Sequence, residues 1–323
     1  MNRRTGNVRS DEDSPLVSVI TPVFNGATWL AESLDSALAQ TCSSLELIVV
    51  NDGSTDDSLA IALARARTDG RIRVIDQANA GLPAARNRAL KEARGAYLAL
   101  LDADDAWLPN HLLLAMEAFE HDPDLGLVHA NIERVDSHGI QIGIPRRNWS
   151  QDLDAFEALA LRHEHVSCPT AVFSRAALDM VGGFDPRFTG LGCEDRDLWL
   201  RIAARFRIRY IDEVTARYRV HPASMSAASE RMALARQMLV AKLAESAQGA
   251  RLVSQMEAMI ESDRGLTLSE QGHLVQGLAR QWDALRQCPG DRLIQRRFIA
   301  ALLAPCRSMK PRYLPHTDGG RGS

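Results

Sequence analysis

The sequence predicts an α/β domain built on a mostly parallel central sheet, followed by a C-terminal helical extension. Three observations carry that expectation. From Pro15 to about Asp105, short β-branched apolar runs alternate with amphipathic stretches of helical length. Acidic and small polar clusters follow three of those runs, at the strand ends where an open parallel sheet presents its ligand crevice. Beyond about Ser226 only helical periodicity remains.

The elements follow in order. Leu16–Thr21 reads as a strand, Pro22–Gly26 turns the chain, and Trp29, Leu30, Leu34 and Leu38 form a helical stripe. Glu46–Asn51 is a second buried strand, ended by Asp52-Gly53-Ser54-Thr55 and followed by a helix to about Arg67. Arg71–Asp76 is a third strand, Pro83–Ala93 a helix and Ala96–Leu101 a fourth strand. Strands spaced by such helices require right-handed crossovers, hence a parallel sheet covered on both faces. After Asp105 the rhythm changes to a helix over Pro109–Glu120, a strand around Leu125–Ile132 and a polar stretch over Asp136–Asp154. Thr170–Ser174 reads as a strand, then come a short helix to Val181 and the turn Gly182–Pro186. A helix over Glu194–Arg205 precedes one or two strands in Arg207–Tyr218, so this half finishes the sheet with mixed pairing.

In the extension, Met232, Ala235, Leu239 and Leu243 keep helical spacing. Thr267-x-x-Glu270 reads as a capping box ahead of Leu274, Leu278, Trp282 and Leu285. After Pro289-Gly290, Asp291 opens a last helix bearing Leu293, Ile294, Phe298 and Leu302. The expected organisation is a flexible leader (1–14), a main domain (15–225), a helical extension (226–306) and a mobile tail (307–323).

Composition narrows the class. With 46% hydrophobic and 24% charged residues, the 323-residue chain has ample material for a core, and disorder as its main state is excluded. A net charge of −3 argues against a dedicated nucleic-acid binder. Five cysteines without paired spacing fit neither a disulfide scaffold nor a zinc site and favour a reducing compartment. No apolar run approaches the roughly 20 residues of a spanning helix, and Met1–Asp13 lacks the apolar core of a signal peptide. A cytoplasmic protein is expected. Residues 226–323 hold 14 basic and 9 acidic side chains, net +5, against net −8 for residues 1–225. The basic C-terminal helix is either a solvated face or a patch for peripheral contact with an anionic membrane.

The acidic clusters point to chemistry. Asp102, Asp104 and Asp105 crowd within four residues straight after an apolar strand, a repulsion that a hard divalent cation such as Mg²⁺ or Mn²⁺ would relieve. A solvated acidic turn ahead of the next helix would look the same. Neither G-x-x-x-x-G-K-[ST] nor a G-x-G-x-x-G after the first strand is present, so an anionic nucleotide would need a metal and arginines, with Arg86 and Arg88 as candidates. Gly190–Trp199 places Glu194, Asp195 and Asp197 at a helix start, where acids serve the helix dipole or, alternatively, supply a general base. His221 is a lone histidine after a strand.

Seven segments in order resemble a family 2 glycosyltransferase with a GT-A fold. They are Val17–Asn25, Ile48–Asp57, Ala85-Arg86-Asn87, Leu101–Asp105, Gly182–Asp185, Glu194–Leu198 and Arg219-Val220-His221, spread over about two-thirds of the chain. The resemblance implies a GT-A nucleotide-sugar-binding fold and an inverting, metal-dependent transfer from a nucleotide diphospho-sugar, typically UDP-linked. It implies a saccharide or lipid-linked acceptor in polysaccharide, lipopolysaccharide or glycolipid assembly. Thr21, Pro22 and Asn25 would line the nucleotide, Asp52 would accept from the base, and Arg86 and Asn87 would lie beside it. Asp102-Ala103-Asp104 would be the D-x-D motif, with Asp102 towards the ribose and Asp104 on the Mn²⁺ or Mg²⁺. Asp195 would be the catalytic base, Glu194 would contact the acceptor and His221 would reach the metal or diphosphate. Cys193 stands where smaller residues are commoner in the family. A nucleotidyltransferase, which would favour a basic loop after the first strand, and a non-catalytic nucleotide-sugar-binding subunit, which would have lost these carboxylates, are the alternatives.

Overall fold

The computed structural model describes residues 15–145, 154–161, 165–222, 224 and 229–307. The expected leader (1–14), Arg146 and Arg147, and residues 308–323 of the expected tail lie outside the described residues. The first half alternates as its apolar pattern requires: β1 (Val17–Val23), α1 (Ala27–Leu38), β2 (Leu45–Asp52), α2 (Ser58–Thr68), β3 (Ile72–Gln77), α3 (Leu82–Glu92) and β4 (Tyr97–Leu100). Every residue of β1 and β2 is buried, the outcome of covering both faces of a parallel sheet with helices. Pro22 is tolerated because β1–β4 pairing ends at Ile20↔Leu100, so its missing N–H deprives no neighbour on that side.

The second half contributes β5 (Ala106–Trp107), α4 (His111–His121), β6 (Leu125–Val135), β7 (Gln141–Gly143), α5 (Ala155–Ala160), β8 (Val172–Ser174), α6 (Arg175–Val181), α7 (Glu194–Ala203) and β9 (Arg207–Arg219). The nine strands form one sheet in the order β3-β2-β1-β4-β8-β6-β9-β5, with β7 on β6. β3, β2, β1 and β4 are parallel, β8 runs against both β4 and β6, and β9 runs parallel with β6. The sheet is therefore mostly parallel, opposed only by β5, β7 and β8. The stretch expected to hold one or two strands is the single strand β9.

The chain divides into two compact units, Met1–Gln248 and Gly249–Ser323. The first includes α8 (Ser229–Ala244), whose Ala235, Leu239 and Leu243 are buried as their spacing requires, and the first half of the short α9 (Ala247–Ala250). The second holds α10 (Val253–Glu270), α11 (Leu274–Gln287) and α12 (Arg292–Arg307) around Ala258, Met259, Ala284 and Ile294. α10 and α11 meet at two glycines, where a Cβ on Gly277 would stand 2.6 Å from the Gly265 carbonyl oxygen.

The capping-box reading of Thr267 and Glu270 is overturned. Both lie in the last turns of α10, and Thr267 Oγ1 donates to the Asp263 carbonyl at 3.1 Å, the back-bond of a threonine inside a helix. The next helix instead begins at Leu274, after Gly272 at φ +90°. Asp291 does cap α12, accepting from the backbone N–H of Leu293 and Ile294.

Candidate active site

Arg86 is the centre of the acidic site. Pro83 in the first turn of α3 presets the helical backbone, and the helix buries its Ala85, Arg86, Ala89 and Leu90 side. At 1% exposure the Arg86 guanidinium donates to Glu194 Oε1 at 2.7 Å, to Asp102 Oδ1 at 2.7 Å and to Cys168 Sγ at 3.1 Å, above the Phe184 ring. Burial opposes its charge, but Asp102, Cys168, Glu194 and Asp195 outweigh that and hold it protonated. Arg88 points elsewhere and pairs with Glu92 at 3.5 Å.

The Asp102–Asp105 turn divides its labour. Asp104 Oδ2 meets His221 Nε2 at 2.9 Å, and burial, with Asp102 repulsion behind it, pushes the Asp104 carboxyl up. Asp105 turns inward, 2% exposed, and accepts the Arg219 backbone N–H at 2.8 Å, so it fastens the end of β9 beneath the turn. Arg219 donates from Nε to the Asp104 carbonyl and ion-pairs with Glu32 at 2.7 Å. Trp29, expected in the apolar stripe of α1, instead packs its ring 4.4 Å from His221 and lies under Arg219.

The loops nearest β1 and β2 are braced internally. Asn25, at φ +53°, accepts from the Thr55 N–H and donates its own N–H to Ser54, tying the end of β1 to the turn after β2. Thr21 is buried and its hydroxyl has no hydrogen-bond partner. Asp52, 3% exposed, accepts from Gln77 Nε2 and from the N–H groups of Ala80 and Gly81, fixing the loop after β3. Asn87 exchanges two hydrogen bonds with the Phe184 backbone. Gly81 sits at φ +87°, where a Cβ would collide with the Thr189 methyl. Gly81→Ala is expected to destabilise the fold by ~1–3 kcal/mol, read as a fall in the urea midpoint; an unchanged midpoint would refute the contact.

The acids of α7 are delivered by left-handed backbone at Gly190, Gly192 and Cys193 (φ +73°, +88° and +66°), which reverses the chain so that Glu194 and Asp195 open the helix. Asp195 is partly exposed, and its pKa is raised by burial against the pull of Arg86. Burial likewise lifts Glu194 from 4.5 to about 7. The folded chain thus keeps a proton that the unfolded chain releases, and stability is lost as pH rises from about 4.5 through about 7. Glu194→Gln should flatten that part of the Tm-against-pH curve, and an identical slope in the variant would refute it.

The structure therefore gathers Arg86, Asp102, Glu194 and Asp195 into one cluster and links Asp104 to His221 beside it. Ala103 is buried between the two aspartates, 9% exposed. The family description "Glycosyl transferase family 2" matches residues 18–181, about half of the chain. The chain belongs to glycosyl transferase family 2.

The family match ends before Glu194, Asp195 and His221, whose placement rests on the structure. An uncharacterized glycosyltransferase of Rickettsia prowazekii is 32% identical over 217 residues, a stretch covering 65% of this chain and 65% of the relative. Two solved structures share the fold. The mannosyltransferase PcManGT of Pyrobaculum calidifontis, in complex with GDP-Man and Mn²⁺, superposes with a TM-score of 0.63 at 23% identity, covering 91% of this chain and 80% of its own. S. aureus TarS 1-349 in complex with UDP-GlcNAc gives 0.62 at 19% identity, covering 90% and 87%. Among the described residues, no helix is long and apolar enough to cross a membrane. Sequence reasoning missed the supporting roles of Trp29, Glu32 and Cys168, which carry no local motif, and of Arg219, which it named only in the segment with His221; all become visible only when their partners are in place.

Proposed function

We propose that this glycosyltransferase is metal-dependent and inverting, and moves a sugar from a nucleotide diphospho-sugar, UDP-linked in the first instance, to a hydroxyl of a saccharide or lipid-linked acceptor. The observation that carries the reading is the Arg86 bridge, which holds the D-x-D aspartate Asp102 and the acids of α7 in one cluster. The UDP- and GDP-sugar complexes of the two structural neighbours support the donor class. Polysaccharide, lipopolysaccharide or glycolipid assembly is the proposed setting, residues 15–225 the proposed catalytic domain and 226–306 its helical extension.

Asp195 takes the proton of the acceptor hydroxyl as that oxygen bonds to the anomeric carbon. The bond to the diphosphate oxygen breaks on the opposite face, so one displacement inverts the configuration. Glu194 borders the acceptor. Thr21, Pro22 and Asn25 border the nucleotide, and Asp52 holds the loop after β3 against the base. Arg86 and Asn87 hold Asp102 and the 182–186 turn in register beside the donor.

The donor set fits a divalent cation. Asp104 and His221, which hydrogen-bond each other at 2.9 Å, would offer a carboxylate and an imidazole. Mg²⁺ or Mn²⁺ keeps waters and takes phosphate oxygens in addition to one or two protein ligands. When bound, such a cation neutralises charge on the leaving diphosphate.

Mn²⁺ with UDP should raise the Tm more than either alone, and Asp104→Asn should abolish the extra rise. Absence of any response to nucleoside diphosphates, together with no hydrolysis across a nucleotide-sugar panel, would overturn the function. Peripheral contact with an anionic membrane is proposed for α12, where exposed Arg292 and Arg296 share a helical stripe with exposed Ile299. Replacing both arginines with glutamine should reduce co-sedimentation with anionic vesicles but not change the weak background with neutral ones; equal co-sedimentation with anionic vesicles would refute this contact.

A further inference from the structure

The helix that presents Asp195 is anchored by more than Arg86. Asp197, 2% exposed, accepts from Arg201 Nε at 2.9 Å and from Lys242 Nζ at 2.7 Å. Lys242 comes from α8 and donates as well to Asp185 Oδ2 at 2.8 Å, above the Phe188 ring. Asp185 lies in the turn whose Phe184 backbone is pinned to Asn87, the residue after Arg86. Arg86 then returns to Glu194 at the head of α7. The polar contacts thus close a ring from α3 through the turn to α8, on to α7 and back to α3. All of it lies within one compact unit.

We propose that Lys242 is a positioning residue that sets the place of Asp195 by bracing α7 against the 182–186 turn. The proposal rests on the reading of Asp195 as the base. One ammonium shared by two carboxylates is a strut of fixed span, because each acid holds its own element to the same nitrogen. Neither acid depends on Lys242 for charge compensation. Asp185 also pairs with Arg187 at 2.7 Å and Asp197 with Arg201, whose guanidinium reaches the carbonyls of Val181, Gly182 and Gly183. Removing the lysine therefore takes away the cross-brace and leaves both ion pairs. Beside the same helix start, Arg236 of α8 acts electrostatically on Cys193 and Arg196, so α8 faces the base segment along more than one turn.

The test uses the full chain with Lys242→Met and Lys242→Arg. Lys242→Met should lower kcat ~10-fold or more, since small misplacement of a catalytic group is costly, while leaving donor KM and nucleoside-diphosphate affinity as in the parent. Amide hydrogen exchange over 185–200 should quicken, and Lys242→Arg should restore both kcat and protection. Parental kcat in Lys242→Met overturns the proposal, whatever the exchange shows. A fall in kcat with unchanged exchange, or a fall not rescued by arginine, also overturns it. If the parent turns over no nucleotide sugar, the functional reading fails separately, and the exchange comparison alone decides whether the brace exists.

Discussion

Asp195→Asn is expected to lower turnover by at least ~10², the scale of a lost general base, while nucleotide binding stays at its parental value and Tm does not fall. Asparagine has nearly the same shape and keeps an oxygen for the Arg196 N–H that Asp195 accepts at 2.6 Å. What it loses is the ability to take a proton. The raised pKa of Asp195, caused by burial and limited by Arg86, makes the carboxylate a stronger base than an exposed aspartate. Activity should accordingly rise with pH as Asp195 ionises. Single-turnover kinetics with donor and acceptor would check it, and normal turnover in the variant would remove Asp195 from the mechanism.

Arg86→Met should be the most damaging substitution to the fold. It leaves Asp102 and Glu194 without their shared cation inside the protein, where Glu194 is only 4% exposed. Stripping one partner from a buried ion pair costs about 3–5 kcal/mol, measurable as a shift in the urea midpoint. Arg86→Lys should recover only part of the loss, because an ammonium cannot match a planar fork held between two carboxylates. Adding Glu194→Gln to Arg86→Met should recover some stability at alkaline pH, where Glu194, whose pKa rises further without Arg86, would otherwise ionise with no cation beside it. A parental midpoint in Arg86→Met would show that the arginine is not the hub.

Much of this architecture is legible in the chain. β1, β2 and β4 are short, largely apolar runs because helices bury both of their faces, and such runs are hard to misplace. Asp291 could be read as a cap because its side chain acts within two or three residues of itself. Thr267 misled because a capping box and a helix interior can share the same four-residue pattern, and the choice rests on packing at Gly265 and Gly277. β5 has only two residues, too few for any periodicity, and exists through pairing with β9 over a hundred residues away.

The candidate site was legible as a set of acids, not as a network. Asp102, Asp104, Glu194 and Asp195 stand out by type and position. That Asp105 faces inward to Arg219, or that Arg86 serves carboxylates on two distant segments, depends on long-range contacts that no local spacing encodes. Trp29 illustrates the same limit. Its spacing suits an apolar stripe, yet the fold sets its ring against His221.

The contact between Gly81 and Thr189 has a practical consequence for redesign. The loop after β3 and the segment ahead of α7 leave no spare volume where they touch, so neither can be diversified alone. Libraries aimed at 187–192 should hold position 81 as glycine, and grafts from relatives should exchange the two stretches as a single cassette.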